Sequence, residues 1–430
     1  MMEILGDLAP MNRLICSPDY DKTIEYLKAL FPLAEISFQH DTEHNGWRIP
    51  SSWNVEKATI SSNGKVIYDG TWHPMAVIAM SEPFQGLVTR DELIDHLHYD
   101  HRYENSIPFH FRQQFRPWDR TWGFCVPKTF YDSLTDGDYE IEIVTAESES
   151  SLRMLEWTLP GKVTETFVFG ANLDHPAAAN DGISGVVVGL ELFRQLAERQ
   201  LNFSYRLVLT QGIIGSEFYL GMSDQDARSK IIEGIMLEMI GSAAPLALQL
   251  SRSGASNLDF SVAQALLDLN ISHRTAAFEE VLLNDEYIWE AYGIPMTSLS
   301  RFPYPEYHSS RDDASIIQTT SLTEAVRTLA RAVELLDSSP LIYKRFDGNV
   351  CLSNPEYNLY IDPGQIALGD HKDDAAQKMR KLMDLIPTLS TPVTVRQLAL
   401  EVELPIDIVT NYLRKWKAKG LIDFRPDSAD

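Results

Sequence analysis

Phe169-Gly-Ala-Asn172-Leu-Asp174-His175-Pro-Ala-Ala-Ala-Asn180-Asp181-Gly-Ile-Ser-Gly185 is the stretch on which the reading of this chain turns. Residues 166–170 at its start form an apolar β-type run, and residues 185–199 behind it carry apolar side chains at helical spacing. The stretch therefore leaves a strand and enters a helix, which puts His175, Asn180 and Asp181 at the carboxyl edge of a sheet. Open α/β sheets bind their ligands at that edge. An imidazole and a carboxylate presented there suit zinc, which takes nitrogen and oxygen donors and keeps one position open when it is catalytic. Read alone, the loop has an equally good structural account, with Asp181 capping the helix and His175 in solvent.

Working outward, strand and helix patterns alternate from residue 139 to 337. Strand-like runs fall at 139–144, 154–158, 166–170, 205–210, 235–240 and 296–300, with helical patterns at 185–199, 258–269 and 322–336. This predicts an α/β domain with a mostly parallel sheet sandwiched by helices. Three more segments carry groups that could join the loop. Glu238 sits in the apolar run 234–241, where an unpaired charge would be costly and a metal or buried cation would be its natural partner. Asp285 and Glu286 precede a helical pattern, and His308 follows the strand at 296–300 within Pro305-Glu-Tyr307-His308-Ser-Ser-Arg-Asp312-Asp313. All four segments fall at or near carboxyl ends of predicted strands.

The flanks differ in texture. The first 40 residues read as helical, with Ile24, Leu27, Leu30 and Phe31 at helical spacing ahead of Pro32. Residues 44–130 hold short β-type runs, turn signals and Trp47, Trp53, Trp72, Trp118 and Trp122, which predicts a small inserted β domain with the aromatics as its core. The α/β domain then spans 131–345, with 1–43 as its helical start and 346–371 as a linker. Three helical patterns and a strand in 372–430 have the layout of a winged helix, with Arg414, Lys415, Lys417 and Lys419 on its third helix.

The chain has 430 residues and a net charge of −24, of which +1 lies on 372–430. So acidic a body argues against coating nucleic acid, and DNA is not the expected partner. Three cysteines without C-x-x-C spacing exclude a disulfide framework and a Cys-rich zinc site. The N-terminus lacks a signal pattern and no stretch reaches about 20 apolar residues. The expectation is a cytoplasmic protein without a membrane segment.

Taken in order, Asn-Leu-Asp-His…Asn-Asp-Gly-Ile-Ser-Gly, Gly-Ile-Ile-Gly-Ser216, Leu-Glu-Met-Ile-Gly, Asn-Asp-Glu…Tyr-Gly-Ile-Pro and Tyr-His-Ser-Ser-Arg-Asp resemble the zinc aminopeptidase family with co-catalytic metals. The resemblance is to a bacterial subgroup with an inserted β domain and a C-terminal winged helix, whose insert is matched by His44–Val55 and 116–127. It implies metal ligands at Asp181, His308 and Glu238, with His175 replacing the histidine that the family places two residues before Asp174. It also implies a place in bacterial polysaccharide or amino-sugar metabolism. The chain departs from the family where an adjacent Glu-Glu pair, base plus ligand, should precede Gly212: it reads Leu209-Thr210-Gln211. That loss favours one zinc over two and leaves Glu217 and Glu286 as replacement catalytic carboxylates, with Asp285, Tyr304 and Tyr307 shaping the substrate pocket.

Three readings follow. The first is a zinc-dependent aminopeptidase-like hydrolase that cleaves an amide next to a free amine, in a small peptide, an aminoacyl compound or an amino sugar. A second is a degenerate scaffold that keeps a metal and binds without cleaving, for which the missing Glu-Glu pair is the best support. The third is a regulator whose winged helix acts and whose large domain senses a ligand. The near-neutral tail favours a protein partner or homo-oligomer contact for the winged helix over DNA.

Overall fold

The computed structural model describes residues 1–222, 224–362 and 374–426. Among them an eight-stranded mixed sheet runs in the order His273–Ala276, Leu246–Gln249, Met296–Ser300, Ile231–Leu237, Thr166–Asn172, Ser204–Thr210, Ser151–Leu159, Ala34–Gln39. The four strands from Met296–Ser300 to Ser204–Thr210 are mutually parallel. Every residue of Thr166–Asn172 is buried, which is why the strand reads as a continuous apolar run. Its side chains alternate between two cores. Phe167, Phe169 and Ala171 face the helices Ile183–Leu196, Asn257–Asp268 and Thr319–Asp337, whereas Val168 faces Tyr219 and Trp289.

Antiparallel pairing of Ser151–Leu159 on one side and of Leu246–Gln249 on the other makes the sheet mixed, so the parallel expectation holds for its centre only. Ala34–Gln39 corrects the helical reading of the first 40 residues: it is the edge strand, paired with Ser151–Leu159, and the helix Pro18–Leu30 ends before it.

A second sheet is wholly antiparallel, in the order Lys65–Asp69, Ser52–Ser62, Asp138–Ser148, Phe84–Thr89. Asp138–Ser148 belongs here rather than to the α/β unit. Tyr139, Ile141 and Ile143 are buried and alternate with more exposed residues, the pattern of a strand covered on one face. Trp53 and Trp122 lie in the core, but Trp72 and Trp118 are 53% and 69% exposed, contrary to the expectation that all the aromatics are interior.

Beyond residue 340, Leu341–Lys344 lies between Val393–Thr394 and Ile422–Arg425 in a three-stranded antiparallel sheet. The helices Asp374–Leu385, Val395–Glu401 and Ile406–Ala418 share a core with it around Leu382, Trp416 and Ile422. Part of the expected linker is inside that core, through Leu352 and Leu359; residues 363–371 of it lie outside the described residues. Glu233 of the large sheet accepts hydrogen bonds from the Asn257 N–H and side-chain amide and from the Leu258 N–H, and Asn257 Oδ1 accepts one from the Thr394 N–H. This ties the C-terminal unit to the sheet. Among the described residues no helix is long and apolar enough to cross a membrane.

Candidate metal centre

The loop that follows Thr166–Asn172 is held from two sides. Arg13 is fully buried and donates to the carbonyls of Leu173 and Ala178, while Asn12 and Arg13 pair with His175 and Pro176. Burial lowers the Arg13 guanidinium to about 10, with Asp174 and Asp312 opposing that shift. From the other side Asp312 Oδ1 accepts the N–H groups of Ala179 and Asn180, and Oδ2 accepts that of Asp181 and the Tyr304 hydroxyl. Burial and the Asp181 charge push Asp312 up to about 6.

The downstream half of the motif has its own reasons. A Cβ at Gly185 would lie 1.8 Å from the Leu237 carbonyl, so only glycine lets the helix approach the neighbouring strand this closely. Asn180 Oδ1 accepts the Gly241 N–H, and Ser184 Oγ the Ile240 N–H. His175, Met239 and His308 all hold positive φ values, of 81°, 47° and 51°. Left-handed backbone at non-glycine residues concentrates where surrounding contacts over-determine it, commonly at functional sites.

His175, Asp181 and His308 each offer one ligand atom, and these atoms lie within 4.8 Å of one another. Asp181 Oδ2 is 3.1 Å from His308 Nε2 and 3.6 Å from His175 Nε2, yet it is buried and accepts no hydrogen bond of ordinary geometry. Burial pushes Asp181 upward, but the two imidazoles outweigh it and hold the carboxyl below its usual range. His175 behaves conversely: burial lowers it, while Asp181 and then Asp174 raise it to a net value above normal. Two nitrogens and a carboxylate oxygen, converging with one oxygen orphaned, fit a zinc ion with room for a fourth ligand.

The other predicted residues lie outside this triad. Ile231–Leu237 ends one residue before Glu238, which is therefore in a loop rather than inside a strand. Its carboxylate accepts from Asn284 Nδ2 at 3.0 and 3.1 Å, so its partner is an amide. Burial, then Glu286 and Asp285, push Glu238 well above the ordinary carboxylate range. Glu286 is fully buried with Oε1 unpartnered, and burial raises it as well. Asp285 accepts from Ser216 Oγ and from Asn172 Nδ2, and Asn172 Oδ1 accepts the Thr210 hydroxyl. Gln211 is fully buried between the Cys16 N–H and the Arg153 carbonyl. Asn172, Thr210 and Gln211, the positions at which the resemblance leads one to expect ligands and a base, are thus taken up in hydrogen bonds, the first two in a network with Asp285 and Gln211 with backbone.

Glu217 is used elsewhere. Asn45 and Tyr292 donate to its Oε1 at 2.8 and 2.9 Å, and His44 Nε2 lies 3.5 Å away, so it latches the inserted β segment onto the helix Gly212–Met222. Tyr304 is a strut for Asp312, whereas Tyr307 stacks on the His308 ring at 3.9 Å.

Sequence reasoning missed Arg13, Asp312 as a strut, and one wall of the site. The Phe109 ring lies edge-on to both His175 and His308, at 5.7 and 5.4 Å, and Phe111 lies edge-on to His308 at 5.1 Å. Phe109 N–H donates to the His308 carbonyl, and Ser310 N–H donates to that of Ile107. The inserted segment thereby splints the histidine loop. An arginine among the apolar N-terminal residues was the one available signal for Arg13; nothing in the spacing marked Phe109.

Comparison with known proteins agrees with this architecture. The family described as a domain of unknown function, DUF4910, matches residues 2–339. A Clostridium acetobutylicum protein whose name assigns it to polysaccharide biosynthesis, with an aminopeptidase-like domain, is 24% identical over 341 residues, covering 78% of this chain and 77% of its own. The crystal structure of a protein named as a peptidase, also from Clostridium acetobutylicum, superposes with a TM-score of 0.74 at 21% identity, covering 98% of this chain and 95% of that one. A zinc aminopeptidase from Bacillus subtilis gives 0.58 at 14% identity, covering 77% and 93%. The aminopeptidase from Aneurinibacillus sp. strain AM-1 gives 0.54 at 15%, covering 78% and 92%. The fold is that of the aminopeptidases.

Proposed function

The chain belongs to the DUF4910 family, and on that premise we propose that it is a zinc-dependent, aminopeptidase-like hydrolase cleaving an amide next to a free amine. Its setting is polysaccharide or amino-sugar metabolism, by analogy with the Clostridium relative's name. The observation that carries the reading is the convergence of His175, Asp181 and His308, with Asp181 Oδ2 buried between the two imidazoles and accepting no hydrogen bond of ordinary geometry.

These three residues would hold one zinc, which would supply Lewis-acid polarisation of a carbonyl and a water of lowered pKa. Asp312 and Arg13 orient the Asp181 loop. Phe109 and Phe111 keep water from the histidine side, and Tyr307 lines the opposite face of His308. Glu238 and Glu286 form the acidic end that receives the substrate ammonium, with Glu286 Oε1 available to take a proton. The protein is cytoplasmic. Residues 44–130 act as an inserted domain, and the C-terminal unit is a winged helix used for contact with protein or a second copy rather than DNA. Lys419 there donates to the Glu356 carbonyl and Lys417 lies over the Phe424 ring, so both already have intramolecular contacts.

A second reading, a metal-binding scaffold without turnover, is favoured by the closure of Thr210 and Gln211 into hydrogen bonds. Chelator-stripped and zinc-reloaded protein, assayed on aminoacyl amides and acylated amino sugars, separates the two. The hydrolase reading expects about one zinc per chain and turnover that His308→Ala abolishes. Bound zinc with no turnover on any substrate selects the scaffold, and absence of stoichiometric zinc overturns both.

A further inference from the structure

Behind the His308 loop lies a cleft of about 630 Å³, bounded by the inserted β segment on one side and by the residues after His308 on the other. Trp72, Arg102, Tyr103 and Asn105 come from the insert, Arg311 and Asp313 from the loop. Its lining residues Ser106 and Ser310 adjoin the backbone pairing of Ile107 and Phe109 with Ser310 and His308, so the cleft neighbours the His308 loop.

Several observations say that the cleft is built to hold something. Trp72 is 53% exposed although its indole N–H is already satisfied by the Tyr68 hydroxyl and its ring is tilted against His73 at 5.1 Å, so much of the indole still borders solvent. Arg311 lies 4.4 Å over the Tyr103 ring, and among the described residues its guanidinium makes no hydrogen bond or ion pair. Ser106, in the lining, is 4% exposed and its hydroxyl has no hydrogen-bond partner. Unsatisfied buried hydroxyls are uncommon and call for an explanation.

The chemistry of the lining selects a class of ligand. Arg102 is committed: it is clamped by Asp100 and donates to the carbonyls of Pro305 and Tyr307. Glu104 and Asp313 offset the charges of Arg102 and Arg311, so the cleft has no net electrostatic preference for an anion. What remains is a mixture of donors, acceptors and hydroxyls beside aromatic faces. A group that donates and accepts at each position and also presents a C–H face complements this lining.

We propose that this cleft is a saccharide subsite, binding a neutral hydroxyl-rich ring such as a hexose or N-acetylhexosamine, with Trp72 stacking on the ring and Arg311 and Asn105 meeting its oxygens. It deepens the amino-sugar reading of the proposed function and rests on that reading only for the link to hydrolysis. Arg102, bonded to both the loop and Asp100, couples the cleft to Tyr307 and His308.

Calorimetric titration of the full chain with N-acetylglucosamine and its β1,4-linked disaccharide tests this. Saturable binding is expected in both zinc-loaded and chelator-stripped protein, weakened about tenfold or more by Trp72→Ala and weakened also by Arg311→Gln, with zinc content and melting midpoint unchanged. Both substitutions are at exposed side chains, so folding is not at risk. Absence of saccharide binding overturns the proposal. So does binding that neither substitution weakens, and so does inorganic phosphate binding abolished by Arg311→Gln, which would make the cleft an anion site. Sugar binding without any turnover leaves the subsite standing while rejecting the hydrolase; turnover without sugar binding does the reverse.

Discussion

Two buried polar groups lie side by side at the carboxyl edge of the sheet, and they are opposites. In one, Asp181 and two imidazoles converge with an orphaned oxygen, and the acid is held low. In the other, Asn172, Thr210, Ser216 and Asp285 satisfy one another, and the acids Asp285 and Glu286 are pushed up by burial. The first arrangement leaves a carboxylate oxygen between two imidazoles; in the second the amide, the hydroxyls and Asp285 bond one another, and Glu286 Oε1 alone of those acids' oxygens is left without a partner. The single zinc proposed above rests on this contrast.

The strongest challenge to the contrast is Asp181→Asn. It removes the charge on which both histidines converge, and zinc measured by elemental analysis after dialysis is expected to fall from about one per chain to background. Retained zinc would mean that the ligand set is misassigned. Asp312→Asn acts one step out, by loosening the N–H groups of residues 179–181. Competition with a chromogenic chelator is expected to show zinc affinity about 10–100-fold weaker.

On the closed side, Gln211→Glu puts a charge where an amide now donates to the Arg153 carbonyl. Denaturant unfolding is expected to show a loss of about 1–3 kcal/mol. Zinc stoichiometry should stay at one, because Asn172 still occupies the remaining position; a second equivalent of zinc would erase the distinction between the two halves.

The smallest effect concerns pH. Asp285 and Glu286 have folded-state values raised by burial, so the native chain keeps protons that the unfolded chain releases. Their contribution to stability is full below the ordinary carboxylate range and is lost as pH rises through the raised values toward neutrality. In chelator-stripped protein the melting midpoint should decline over that span, and Glu286→Gln should make the decline shallower by about a few degrees. An unchanged slope would show that Glu286 titrates normally.

How much of this was legible depended on periodicity. The strand Thr166–Asn172 announced itself because a fully buried strand needs apolar residues throughout. Asp138–Ser148 is equally legible as a strand, but its β-type residues say nothing about its partner, and it joins the second sheet rather than the central one; only the alternation of Tyr139, Ile141 and Ile143 points to a half-exposed sheet. Ala34–Gln39 was hidden by its exposed edge position. The candidate triad is legible because each member lies in a loop that follows a strand of the central sheet. Glu217 could not be told from a catalytic acid, because its partners Asn45 and Tyr292 are remote in sequence. Phe109 escaped for the same reason, as a phenylalanine in a β-rich segment looks like core wherever it points.

The splint between residues 107–109 and 308–310 has a consequence in time. Ile107 and Ser310 are 203 residues apart, and His308, with its left-handed backbone, is bonded through its carbonyl to Phe109 N–H of that segment. Closing so long a loop carries an entropic cost that must be met before the contact returns anything. The expectation is that His308 reaches its place late, after both sheets exist, so that the three candidate ligands converge only near the end of folding. Metal uptake would then report the completion of folding, and a refolding reaction followed by zinc binding should lag behind one followed by secondary structure.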